Sequence, residues 1–300
     1  MTTPSQAPAT TFVIHPQARI GHVHYTVANL DRQIAFYRDI LGFKVHWQEG
    51  QSAGLGAGGE DLLRLTQVDG ARLVRGTTGL YHTAFLVPNR LDLAHLLKRI
   101  VETNTQVQGF SDHNTHLAIY LPDAEENGIE LAWDYPKEQW PQTFAEMIQR
   151  NRGFDPYELL NELAKNPTKW DGLAPKTQVG HVHLHVGDIE AGNRFYREIL
   201  GFEYPFNQLP PPQYARQMRF FSAGGYHHHI GTNIWNGENA PRPPANATGL
   251  RYYTAVLPHA EALDAVISHI EKHGIVTQNT PEGIFLQDPS GNGIVLTTAS

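Results

Sequence analysis

Cysteine is absent from all 300 residues. That excludes disulfide frameworks, thiolate zinc sites, iron–sulfur clusters and thiol nucleophiles together. Charge is sparse as well. Asp, Glu, Lys and Arg make up 18% of the chain and leave a net −7. Without clustered cations, nucleic acid is not an expected partner. No apolar run approaches the roughly 18 residues of a membrane span, and the polar, proline-bearing stretch 1–16 lacks the basic-then-apolar order of a secretory signal. The expectation is a soluble, cytoplasmic protein with no membrane partner. The chain is 40% hydrophobic and 10% aromatic, ample for a sizeable core, and its length suits about two domains. One residue type is abundant: seventeen histidines, bunched rather than scattered.

The sequence repeats itself. Residues 20–45 and 179–204 align without gaps and are identical at 12 of 26 positions. A fainter echo joins GLYHTAFLVP at 79–88 to GLRYYTAVLP at 249–258, and IYLPDAEENGIEL at 119–131 to IFLQDPSGNGIVL at 284–296. The chain therefore reads as four modules, A–B–A′–B′, a tandem duplication. Each opens on an alternating strand, as in His22-Val23-His24-Tyr25-Thr26-Val27, whose period of two puts both histidines on one face. An amphipathic helix follows; in A, Leu30, Ile34, Tyr37 and Leu41 form its apolar stripe and Gly42 is placed to stop it. Short strands, including 43–48 and 62–68, complete a β-α-β-β-β order, an α+β class. The expected boundaries are 18–135 for A and B, 136–177 for a helical linker with Asp155-Pro156 opening a short helix, and 178–300 for A′ and B′. Two proline-bearing insertions, 205–217 and 236–248, read either as ordered loops near a pocket or as surface decoration.

These motifs resemble the vicinal oxygen chelate superfamily, in which paired β-α-β-β-β modules curl around one metal. The resemblance rests on Gly-His heading the first strand, on FYR-x-ILGF at 36–43 and 195–202, and on D-x-x-x-N-G-I-E-L at 123–131. Four modules in one chain, with GGYHHHIGTNIW at 224–235, are similar to the type I extradiol dioxygenases of the two-domain catechol 2,3-dioxygenase group. That resemblance implies metal ligands on the first and last strands of two partnered modules: His82 and Glu130 in B, with His181 in A′ or its rival His22 in A. B′ carries Tyr252 and Val295 at the matching positions and so has lost both ligands. The resemblance further implies His113 and Tyr120 as substrate-facing groups and His228 as the acid–base histidine. Module A has no histidine where A′ has His228, which favours a site shared by B and A′.

Two imidazoles and one carboxylate suit Fe(II), with Mn(II) possible on the same ligands. The implied reaction opens a small aromatic diol, catechol or a substituted catechol, with O2 to a 2-hydroxymuconic semialdehyde type product. Lewis-acid chemistry on the same fold, or cleavage of a hydroquinone, is the alternative, and self-association into a homo-oligomer is possible. A strand histidine ordinarily serves packing or hydrogen bonding, and His15, His46, His95, His259, His269 and His273 read that way. His24, His183 and His185 share a face with a candidate ligand and are candidates to orient it. Strand alternation would point His227 and His229 away from the side that His228 faces. Trp47, Trp133, Trp235 and Tyr226 are open either to core packing or to stacking on an aromatic substrate.

Overall fold

Several helix starts lie where the sequence supplies side-chain caps. Asn29 accepts from the Arg32 amide, Asp155 from Tyr157, and Asp188 from Glu190 and Ala191. In a computed structural model of the chain, residues 12–299 are described; residues 1–11, most of the stretch read above for a signal, and residue 300 lie outside them. Module A comprises β1 (Arg19–Val27), α1 (Leu30–Ala35) running into a π turn (Phe36–Ile40), β2 (Lys44–Glu49), β3 (Ser52–Gly56) and β4 (Asp61–Gln67). Module B follows with β5 (Gly79–Leu86), α2 (Arg90–Glu102), β6 (Gly109–Asp112), β7 (His116–Pro122) and β8 (Gly128–Asp134). The connecting segment holds α3 (Phe144–Arg150) and α4 (Pro156–Lys165).

Module A′ has β9 (Gln178–His185), α5 (Ile189–Asn193) with its own π turn (Arg194–Ile199), α6 (Pro212–Ala215), β10 (Met218–Phe221) and β11 (Ile230–Asn233). Module B′ has β12 (Gly249–Leu257), α7 (Ala260–Lys272), β13 (Gln278–Thr280), β14 (Gly283–Gln287) and β15 (Gly293–Thr298). The β-α-β-β-β order thus holds in A, B and B′. It is corrected in A′, where the second strand shrinks to a single bridge between Glu203 and Ser222. The insertion that follows carries four prolines, at 205 and 210–212, and each removes a backbone donor that a ladder would need. No described helix is long and apolar enough to cross a membrane.

The strands form two mixed sheets, ordered β13-β14-β15-β12-β1-β4-β3-β2 and β10-β11-β9-β5-β8-β7-β6. The sheets do not follow the sequence halves. One joins A to B′ through the antiparallel β1–β12 pair; the other joins B to A′ through β5–β9. The two junctions correspond: His24 faces Tyr252 in the first, and His183 faces His82 in the second.

The halves are tied together differently, by the motifs of the resemblance. The Asp123 carboxylate accepts from the amides of Glu125 and Asn127 and from Asn127 Nδ2 at 2.8–2.9 Å. Buried Tyr37 of module A donates to the same Asp123 of module B at 3.1 Å. In the second half Asp288, Ser290, Asn292 and Tyr196 repeat the arrangement, with Tyr196 donating at 2.9 Å. The tyrosine of FYR and the Asp of D-x-x-x-N-G are therefore structural clamps between neighbouring modules. Gly128, which ends the first clamp, has no room for a side chain: a Cβ there would lie 2.0 Å from the Tyr81 carbonyl oxygen.

Candidate metal centre

Pairing B with A′ brings three side chains from three strands to one point. His82 is on β5, Glu130 on the neighbouring β8 and His181 on β9. His82 Nε2 lies 3.1 Å and His181 Nε2 3.3 Å from Glu130 Oε2, and the two Nε2 atoms are 3.2 Å apart. All three residues are buried. A near-equilateral triangle of this edge is what donor–metal bonds of about 2.1 Å at roughly 100° produce. Two neutral imidazoles and a carboxylate form the donor set associated with non-haem Fe(II) and leave further coordination positions open. The residues present therefore fit a metal ion.

The electrostatics of the triangle agree. Burial alone would push the Glu130 carboxyl up, but His181 and His116 hold it well below its ordinary range, so it stays charged. Burial pulls His181 down to about 4, with Glu130 opposing, so at neutral pH its Nε2 offers a lone pair. His116 Nε2 sits 3.0 Å from the other carboxylate oxygen of Glu130. Such a partner aims the ligand, as outer-shell groups do in metal sites.

The triangle lies in a cavity of about 470 Å³, which His113, Tyr120 and His228 also line. His113 Nε2 and the Tyr120 hydroxyl are 2.8 Å apart. Burial pushes the Tyr120 hydroxyl well above its ordinary value and pulls His113 down to about 3, so both are neutral. The His228 ring lies over that of His181, with centroids 4.0 Å apart. All six residues of the B–A′ set thus share one cavity. Much of the remaining wall is apolar, with Phe144, Met147 and Ile148 from α3 and Met218, Phe220, Tyr81 and Trp235, and Gln108, Ser111 and Asn151 add neutral polar groups. Among the described residues no lysine or arginine lines it.

His22 stands elsewhere. It belongs to the A–B′ sheet, edge-on to Tyr252 at 5.8 Å, in a separate cavity with Arg64 and Glu282. His24 is bonded to Thr66 on that sheet and His185 to Asn233; only His183 of the three lines the metal cavity. Trp235 stands half-exposed at the cavity wall, whereas Trp47 bonds Asp61, Trp133 packs under Arg90 and Tyr226 lies against His227. Of the remaining histidines, His46 binds Asp61, His95 binds Thr168 and His259 caps α7.

Of the triple histidine, His228 lines the metal cavity and His229 a separate one, as expected; the reason differs, because residues 227–229 precede β11 and are not strand. His227 does not line the metal cavity: its Nδ1 lies 2.9 Å from His228 Nδ1 and its Nε2 3.1 Å from Asp134 Oδ1. His116 and Asp134 went unnoticed in the sequence, as did α3 as a cavity wall, and His227 was assigned no role. A signal existed for His116 and Asp134. Tyr120 pairs with Glu130 and His116 with Asp134 across β7 and β8, so period two from the chosen residues reaches both others.

The family search and the relatives point the same way. Residues 19–131 and 178–296 match the Glyoxalase/Bleomycin resistance protein/Dioxygenase superfamily. A curated protein of Bacillus subtilis (strain 168), catechol-2,3-dioxygenase, is 37% identical over 280 residues, covering 92% of this chain and 95% of its own. Among solved structures, glyoxalase I from Zea mays superposes with a TM-score of 0.57 at 18% identity, over 93% of this chain and 92% of that one. The cppA protein of Streptococcus pneumoniae TIGR4 gives 0.56 at 13%, over 94% and 99%. Both structural likenesses concern the fold.

Proposed function

The chain belongs to the Glyoxalase/Bleomycin resistance protein/Dioxygenase superfamily, and from that premise we propose that it is a metal-dependent extradiol dioxygenase acting on an uncharged catechol. The observation that carries the reading is the meeting of the His82–Glu130–His181 triangle with His113, Tyr120 and His228 in one largely apolar cavity. Lewis-acid chemistry would need the triangle alone. The B. subtilis relative, 37% identical and named catechol-2,3-dioxygenase, supports the same choice.

Fe(II), or Mn(II), would be held by His82, Glu130 and His181. When bound, it supplies adjacent positions for the diol and O2 and lets electrons pass between them. The protein's own work is positioning and proton transfer. His228, neutral and facing the cavity, takes a proton from a substrate hydroxyl at Nε2 and returns it to the departing oxygen as the O–O bond breaks. Tyr120 donates to a substrate oxygen, and its 2.8 Å bond to His113 holds it in place. Phe144, Phe220 and Trp235 exclude water and offer faces against which an aromatic ring can pack. Both atoms of O2 end in the ring-opened product, so no external reductant is consumed.

Substrate charge follows from the wall. Among the described residues the lining offers no lysine or arginine to balance a buried carboxylate, and its Gln108, Ser111 and Asn151 are neutral donors suited to hydroxyl groups. Catechol or an alkyl- or aryl-substituted catechol suits it. The test is anaerobic loading with Fe(II), then catechol and oxygen, following the yellow absorbance of a ring-opened semialdehyde. Absence of product from every catechol tried, at one equivalent of metal per chain, would reject the reading.

A further inference from the structure

Behind the cavity the partly exposed Asp134 and the buried His227, which the reaction above leaves unused, lead to His228. Asp134, at the end of β8, is followed by His227 and then by His228. His227 Nε2 is 3.1 Å from Asp134 Oδ1, and His227 Nδ1 is 2.9 Å from His228 Nδ1. The His227 ring is 2% exposed, stacked face to face on His116 at 4.7 Å and edge-on to Trp140 at 5.2 Å. It is held in one orientation by packing.

The geometry points to a positioning relay: Asp134 sets the tautomer of His227, and His227 sets that of His228, so that the His228 Nε2 lone pair faces the cavity. This rests on the reading of His228 as the acid–base group. An ionised carboxylate can only accept, so His227 Nε2 carries the proton that bonds Asp134. His227 is neutral, burial having lowered it with Asp134 opposing, and its Nδ1 is then a bare acceptor. Two ring nitrogens at 2.9 Å require one donor between them, so the His228 Nδ1–H donates to His227. A neutral His228 with its proton on Nδ1 has none on Nε2. Asp134 lies below its ordinary value: burial opposes, and His227, His116 and the hydrogen bond from Tyr226 together outweigh it.

Asp134→Asn inverts the chain without changing its shape. With its nitrogen toward His227, the Asn amide donates to Nε2, which becomes the acceptor. The His227 proton moves to Nδ1 and donates to His228, whose proton moves to Nε2. The ring that should accept a hydroxyl proton now presents one. The parallel is the buried aspartate of a catalytic triad, whose amide variant keeps the geometry and loses rate through the wrong tautomer.

The test uses full-length chain and two readouts. In metal-free protein labelled at the imidazole nitrogens, ¹⁵N spectra should show His228 protonated at Nδ1 in the native chain and at Nε2 in Asp134→Asn. In Fe(II)-loaded enzyme, Asp134→Asn should lower kcat about 100-fold or more, in the range of a lost general base, with KM within about threefold. Asp134→Glu should recover most of the rate. Asp134→Asn added to His228→Ala should cost nothing further. An unchanged His228 tautomer, or a loss in KM alone, would overturn the relay. So would a second equivalent of metal per chain that disappears in Asp134→Asn, since His116, Asp134 and His227 also lie close enough to share an ion. If His228→Ala keeps full activity, the acid–base assignment fails instead, whatever the ¹⁵N spectra show.

Discussion

Replacing His181 and His22 separately by alanine asks which module pairing holds the metal. His181 is 2% exposed and is one of three imidazoles, with His82 and His116, around the 1% exposed Glu130 carboxylate. Removing one partner of a buried charge costs about 3–5 kcal/mol. Two imidazoles remain beside Glu130, so His181→Ala should sit at the low end, near about 3 kcal/mol. At roughly 2–4 °C per kcal/mol for a chain of this order of size, metal-free His181→Ala should melt about 6–12 °C below the parent. The His22 Nε2 has no protein partner to lose, and His22→Ala should fall within about 1 kcal/mol of the parent. Fe(II) or Mn(II) at a hundredfold excess over Kd adds about 2.7 kcal/mol to a folded chain that binds it. Calorimetry with metal and with chelator should therefore show a metal-dependent rise in Tm of about 5–10 °C for the parent and for His22→Ala, and none for His181→Ala. A metal shift kept by His181→Ala and lost by His22→Ala would refute the shared B–A′ site.

Three further outcomes are expected. Tyr120→Phe removes the hydroxyl bonded to His113 at 2.8 Å; steady-state kinetics should show kcat down about 100–1000-fold at nearly constant KM, the range of a lost oxyanion-type donor. Catechol should be preferred over 3,4-dihydroxybenzoate by about 100-fold or more in kcat/KM, because among the described residues the cavity wall offers a carboxylate no cation. Met218→Arg should narrow that ratio, and comparable rates on both substrates in the parent enzyme would contradict the charge argument. Gly128→Ala would place a Cβ 2.0 Å from the Tyr81 carbonyl oxygen. Denaturant unfolding should register a loss of more than about 3 kcal/mol, with the metal site disturbed because Glu130 stands two residues away.

What the linear sequence determined is whatever depends on neighbours in the chain. Period-two and helical patterns, the caps at Asn29 and Asp155 and the internal repeat were legible, and with them the α+β modules and the clamp motifs. Comparing B with B′ set His82 and Glu130 apart by the substitutions Tyr252 and Val295, and the resemblance pointed to His113 and Tyr120. Tertiary structure decided which modules pair. Strand pairing is non-local: β5 can be closed by any compatible edge, and nothing in residues 79–86 states that the edge is β9 rather than β1. That choice separates His22 from His181. Tertiary packing also turned His227 toward Asp134, because residues 226–229 leave the strand and their directions follow from contacts with His116 and Trp140 instead of a period. The same holds for α3, whose apolar face became a wall of the cavity only once B and A′ had come together across it.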